Sequence, residues 1–317
     1  MIRFYLILFL SSLFKLAISQ QDVQFSQYMY NQLDYNPGSA GSKDAICLSA
    51  LSRKQWVGFT GAPSTSVFSA SMPVKPFKIN SGIGLTLLND VLGYNNNLGL
   101  KIDYAYRMDV NNGMGKLGIG FSAGFLNNAL KGANWRPPVE AGGSSGLQDN
   151  SIPQQNDSGM AFDLGLGVLY KTDNLYLGAS STHILQPKLK YKSGATYPNS
   201  RHYYLTAGYN LALKNPLFDF QPSMLIMTDG GSTNVDLNSV ILYNKRIWGG
   251  VTYRVKAAVI GMIGVELTSG LRIGYSYDFS ASDLSRYNNG SHELMIGYCF
   301  NISKEKIPHK SKSVRFL

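Results

Sequence analysis

The chain has 317 residues, 44% hydrophobic and 15% charged, with 33 glycines and a formal net charge of +10. A mean hydropathy of −0.09, with no long apolar run after residue 20, excludes a helical membrane protein, because a spanning helix needs about 20 apolar residues. The basic excess is dispersed apart from one terminal cluster, which argues against nucleic-acid binding.

Residues 1–19 read as a secretory signal peptide. Arg3 precedes an apolar run from Phe4 to Leu10 that continues through Leu13 and Phe14, and Ala17-Ile18-Ser19 puts small residues at the cleavage site. No cysteine follows the cut, so a lipid anchor is not expected. Residues 20–42 form an N-terminal segment, periplasmic or folded into a barrel as a plug. Phe25, Tyr28, Tyr30, Asn36 and Pro37 make it too rich in aromatics and amides for a flexible lead-in.

Residues 43–301 read as about fourteen consecutive β-strands without a credible helix between them. Leu98, Leu100, Ile102, Tyr104 and Tyr106 alternate with Gly99, Lys101, Asp103, Ala105 and Arg107, and Phe162 to Lys171 repeats the pattern. Each run is about 10 residues, enough to cross a bilayer at a barrel tilt. Connections alternate in length. Brief turns at Asn111-Asn112-Gly113, Thr172-Asp173-Asn174, Asn215-Pro216, Asn244-Lys245 and Ser269-Gly270 contrast with longer stretches at 89–97, 127–158, 183–200 and 280–289. Short periplasmic turns with longer outer loops are the asymmetry of outer-membrane barrels, and the 20 tyrosines, often near strand ends, suit interfacial girdles. The expected fold is therefore all-β, a transmembrane antiparallel barrel with an N-terminal periplasmic or plug segment. Its glycines and mixed charges suggest a wide, hydrated lumen.

Residues 302–317 form a basic tail, with Lys304, Lys306, Lys310, Lys312 and Arg315 against Glu305, which strand parity places in the periplasm. Cys47 in the first strand and Cys299 in the last meet at the barrel seam, both facing the lumen. A disulfide is allowed there in an oxidising compartment, but two separate buried thiols remain the favoured reading, because register cannot be read to one residue.

Catalytic signals are weak. His183, His202, His292 and His309 show neither metal-ligand spacing nor a Ser-and-acid context, and the acidic residues fall singly on polar faces, interleaved with Lys101, Lys171, Arg254 and Arg272. No catalytic, cofactor or metal residue is assigned.

FSQYMYN (Phe25 to Asn31), NPGSAG (Asn36 to Gly41), RKQWVGFTGAP (Arg53 to Pro63), LLNDVLGYNNNLG (Leu87 to Gly99), DYAYR (Asp103 to Arg107) and GSHELMIGY (Gly290 to Tyr298) together resemble the PorP/SprF-type outer-membrane proteins of the type IX secretion system of gliding and related bacteria. The resemblance covers essentially the whole mature chain and departs at Gly38-Ser39, where the family usually has a small residue and then an aromatic. It implies a non-enzymatic role without an obligatory cofactor. The partners implied are a secreted surface protein such as an adhesin, met through its C-terminal sorting domain, and periplasmic components of the secretion machine. On that view Phe25, Tyr28, Tyr30, Asn36, Pro37, Arg53, Trp56, Trp135, Lys190, Tyr191 and Arg201 are candidate partner-binding residues. The outer loops would grip the cargo while the N-terminal segment or basic tail meets the periplasmic ring. A passive channel or porin-like transporter is the alternative. A barrel enzyme would need a rim Ser/His pair, and no convincing one is present.

Overall fold

The computed structural model describes residues 22–110, 112–131, 156–194, 196–281 and 288–300. The signal peptide (1–19), the tail (302–317) and Trp135 with most of its loop lie outside the described residues. The wall starts with β1 (Ile46–Lys54), β2 (Ser64–Val74), β3 (Ser81–Leu92), β4 (Asn95–Val110), β5 (Gly115–Lys131), β6 (Asn156–Lys171) and β7 (Leu175–Thr182). A small hairpin, β8 (Lys188–Lys190) and β9 (Thr196–Pro198), follows above β6. The wall resumes with β10 (His202–Tyr209), its short continuation β11 (Leu211–Ala212), β12 (Phe218–Thr228), β13 (Thr233–Tyr243), β14 (Ile247–Arg254), β15 (Ala258–Glu266), β16 (Leu271–Ser280) and β17 (Ser291–Phe300). Neighbours are antiparallel throughout, and β1 pairs with both β2 and β17. Among the described residues this is a closed wall of 14 strands. Closure satisfies the backbone groups that an open edge would expose to lipid.

Successive residues in a strand point to opposite faces, and the two faces separate as the alternation requires. In β4, Leu98, Leu100, Ile102 and Tyr106 face outward, whereas Asp103, Ala105 and Arg107 are buried inward. The outward set recurs as Ile119, Phe121 and Phe125 in β5 and Leu205 in β10, forming the lipid-facing belt of an integral outer-membrane barrel.

The strand lengths correct the sequence reading in places. β4, β5 and β6 have 16, 17 and 16 residues, more than the roughly 10 that a bilayer needs, so their outer ends stand clear of it. The stretch 89–97, expected to be a loop, is instead β-structure on both sides of a tight turn at Gly93-Tyr94. Its asparagines are polar because they lie beyond the lipid. Asn97 pairs in register with Asp90 and Asn128, and its side chain accepts from Asn128. At the opposite end the turns stay brief; Asn244 and Lys245 both take positive φ, as a primed hairpin turn demands. The short-turn end is periplasmic and the long-loop end is the outer mouth.

Cys47 lies opposite Cys299 in the β1–β17 register and is bonded to it, with S–S 2.08 Å. The favoured reading of two separate thiols gives way to a cross-link, because closure sets the two side chains directly opposite. The bond spans a sequence separation of 252 residues. Reduction, or Cys47→Ser, is expected to retard the denatured chain on a non-reducing gel and to lower stability by about 2–4 kcal/mol. Unchanged mobility would show that the bond does not form in the cell envelope.

Candidate functional site

The lumen is occupied by the chain's own N-terminal segment. Asp22 sits at the outer mouth beside Thr182 and His202, and Asp44 sits at the periplasmic mouth, paired with Arg107 (2.8 Å) and Lys116 (2.7 Å). Between them the backbone advances through single turns: a 3-10 turn (Tyr28–Tyr30), the one-turn α1 (Gln32–Tyr35) and a second 3-10 turn (Pro37–Ser39). Local chemistry explains the last of these. The Asn36 side chain accepts from the Gly38 N–H (2.9 Å), and Pro37 occupies the first position, where no amide donor is needed.

Glycine makes room for this plug. A Cβ on Gly82 would overlap the Ala40 carbonyl, and one on Gly120 would overlap Pro37. At Gly167 it would meet the Asn36 amide, and at Gly274 the Gln27 amide. Glycines read from sequence as lining a hydrated lumen therefore form a groove against which the plug backbone lies.

Polar and apolar contacts then hold the plug. The Ser26 and Gln27 N–H groups donate to the two oxygens of Glu293 (2.7 and 2.9 Å), and Ser26 Oγ donates to Asp278 (2.8 Å). Arg53 bonds Ser26 Oγ (2.7 Å) and Asp278 (2.6 Å) and lies 3.4 Å from Glu293; Arg254 pairs with Asp236 and Asp278. Phe25 packs with Leu51, Val67, Trp248, Ile260 and Met295. Tyr28 and Tyr35 pack with Tyr204, Leu225 and Met227. Tyr30 meets Trp248 at 5.1 Å between centroids and lies 4.6 Å beneath the Arg272 guanidinium.

The candidate partner-binding residues thus divide. Phe25, Tyr28, Asn36, Pro37 and Arg53 are buried and spent on plug–wall contacts, and Tyr30 is partly buried in the same way. Trp56 is half-buried in the β1–β2 loop, donating its backbone N–H to Ser291. At the outer mouth Tyr191 is buried and donates to Asn128, while Arg201 donates to the Ile184 carbonyl (2.6 Å). Lys190 is exposed on the β8–β9 hairpin, as are Lys188 and Lys192 beside it.

One cluster escaped the sequence reading, in which the histidines showed no metal-ligand spacing. Asp22, His183 and His202 come together although 161 and 180 residues separate Asp22 from the two histidines. His183 donates from Nε2 to Asp22 Oδ1 (2.9 Å) and from Nδ1 to Asp163 Oδ2 (2.9 Å). Thr182 and Tyr204 donate to Asp22 Oδ2 (2.9 and 2.6 Å), and the Asp22 N–H donates to His202 Nε2 (3.0 Å). Burial disfavours the His183 imidazolium, but Asp22 and Asp163 outweigh it and raise the group to about 10. Burial likewise opposes ionised Asp22, yet the two histidines hold its carboxyl far below the usual range. No spacing rule could have found this set, because threading the plug through the barrel creates it.

The family model described as type IX secretion system membrane protein PorP/SprF matches residues 17–298. No curated protein matches the chain in sequence. Among solved structures the chain is similar to the toluene transporter TbuX of Ralstonia pickettii, with TM-score 0.47 and 11% identity over 84% of this chain and 92% of that one. Omp33 of Acinetobacter baumannii gives TM-score 0.44 and 8% identity, covering 81% and 99%. The translocator domain of autotransporter NalP from Neisseria meningitidis gives 0.42 and 15%, covering 81% and 88%.

Proposed function

Because the chain belongs to the PorP/SprF family of type IX secretion system membrane proteins, we propose that this outer-membrane barrel supports export or surface anchoring of a secreted protein such as an adhesin, engaged through its C-terminal sorting domain. It acts by binding, without chemistry of its own. Residues 1–19 are removed as the signal, and residues 302–317 provide a basic periplasmic contact for the rest of the machine.

The observation that carries this reading is the plugged lumen. A barrel of this size leaves an aqueous channel unless something fills it, and here a segment of the same chain runs from mouth to mouth. Such a barrel suits a fixed docking platform better than a diffusion pore. The exposed Lys188, Lys190 and Lys192 at the outer mouth provide a basic surface for an acidic partner.

Affinity capture of the tagged protein from detergent-solubilised outer membranes, with mass spectrometry, tests the proposal. Recovery of a large surface protein by its C-terminal end, together with periplasmic secretion components, is the expected result. A barrel that comes down alone and conducts ions in planar bilayers would instead favour the channel. Changing Lys188, Lys190 and Lys192 together to glutamate is expected to cut cargo recovery roughly tenfold, with a reduced salt dependence, while the heat-modifiable gel mobility of the folded barrel is unchanged. Undiminished recovery would remove the hairpin from the interface.

A further inference from the structure

The geometry points to a divalent transition-metal site, best matched to Zn2+, formed by Asp22, His183 and His202 at the outer mouth of the barrel.

Both imidazoles are anchored through Nδ1. His183 gives its Nδ1 to Asp163 and turns its Nε2 to Asp22 Oδ1 (2.9 Å); His202 gives its Nδ1 to the Ser200 carbonyl (3.0 Å), with that nitrogen 3.7 Å from Asp22 Oδ2, while its Nε2 meets the Asp22 main-chain N–H (3.0 Å). This is how metal-binding histidines are held: the far nitrogen is anchored by an oxygen, which fixes tautomer and ring plane. Ligand atoms of the three residues already lie within 4.8 Å of one another. On the carboxylate, Oδ2 is engaged by Thr182 and Tyr204, with His202 Nδ1 at 3.7 Å, whereas among the described residues Oδ1 meets His183 alone. Asp22 and Asp163 together balance the charge of a divalent ion. Two nitrogens and one oxygen suit zinc, whereas calcium and magnesium favour all-oxygen shells. A cavity of about 130 Å³ lined by Asp22, His183, His202, Tyr197 and Asn199 adjoins the cluster and leaves space for water as the fourth ligand.

Binding exchanges one set of bonds for another. The ion takes the place of the His183 Nε2 proton, which leaves to solvent, and His202 Nε2 gives up the Asp22 N–H. His183 follows β7 and His202 opens β10, while Asp22 belongs to the plug. The metal therefore staples the plug to the wall at its outer end.

The test uses the purified full-length barrel, stripped with chelator and titrated with Co2+ as an optical probe. Expected are one equivalent bound, the visible absorption of a four-coordinate nitrogen–oxygen site, and displacement of Co2+ by Zn2+. Asp163→Asn, which leaves all three ligands, is expected to weaken binding about 10- to 100-fold. His202→Ala abolishes the signal, and His292→Ala leaves it intact. Absence of Co2+ and Zn2+ uptake by the wild-type barrel overturns the site, as does binding of equal affinity in folded His202→Ala. Should that variant fail to fold, unchanged affinity in Asp163→Asn overturns it equally.

Discussion

Valine in place of Gly82 or Gly120 is expected to expel the plug and turn a closed barrel into a conducting one. The added side chain meets backbone, the Ala40 carbonyl or Pro37, and not the flexible end of a neighbour. Overpacking of this kind costs about 1–3 kcal/mol where neighbours can yield, and main chain held inside a closed wall yields little. Since the wall continues around the segment, the substitution should displace the plug before it disrupts the strands. Planar-bilayer recordings should show the wild-type protein near baseline and the variants with a steady ohmic pore. Equal conductance in both would mean that the plug does not seal the barrel.

The second large effect is expected at Arg53. Its guanidinium is 1% exposed and lies between Asp278 and Glu293, with Arg254 shared between Asp278 and Asp236. Arg53→Ala leaves a single cation to balance three buried carboxylates. Breaking a buried pair from one side typically costs about 3–5 kcal/mol, and here the Ser26 contact is lost as well. Thermal or denaturant unfolding in detergent should show the loss. Adding Glu293→Gln should recover part of it, since the two positions share one network and their effects do not add. A loss below about 1 kcal/mol would indicate that water already screens the cluster.

Much of the wall was legible because a barrel strand repeats every two residues and its turns have a recognisable chemistry. The alternation from Leu98 to Arg107 identified the lipid face, and Asn244-Lys245 and Asn112-Gly113 marked turns. Strand ends were harder. Asn95 to Asn97 look like loop residues, yet they pair as strand because β4 rises out of the bilayer. The lumen was the least legible. A two-residue period says which side chains point inward, but not what they meet there. Gly120 reads the same whether it faces water or Pro37. The contacts of Ser26 with Glu293 and of Asp22 with His183 join residues 267 and 161 apart, a span over which no local pattern carries information. The paired cysteines were intermediate: their strands were known to be neighbours, but a one-residue slip in register would have parted them.

The Cys47–Cys299 bond has a mechanical consequence. It bolts the first strand to the last, and the β1–β17 seam is the one place where a single-chain barrel could unzip sideways toward the membrane. With that seam cross-linked and residues 22–44 lying along the axis, the wall is braced both around its circumference and from within.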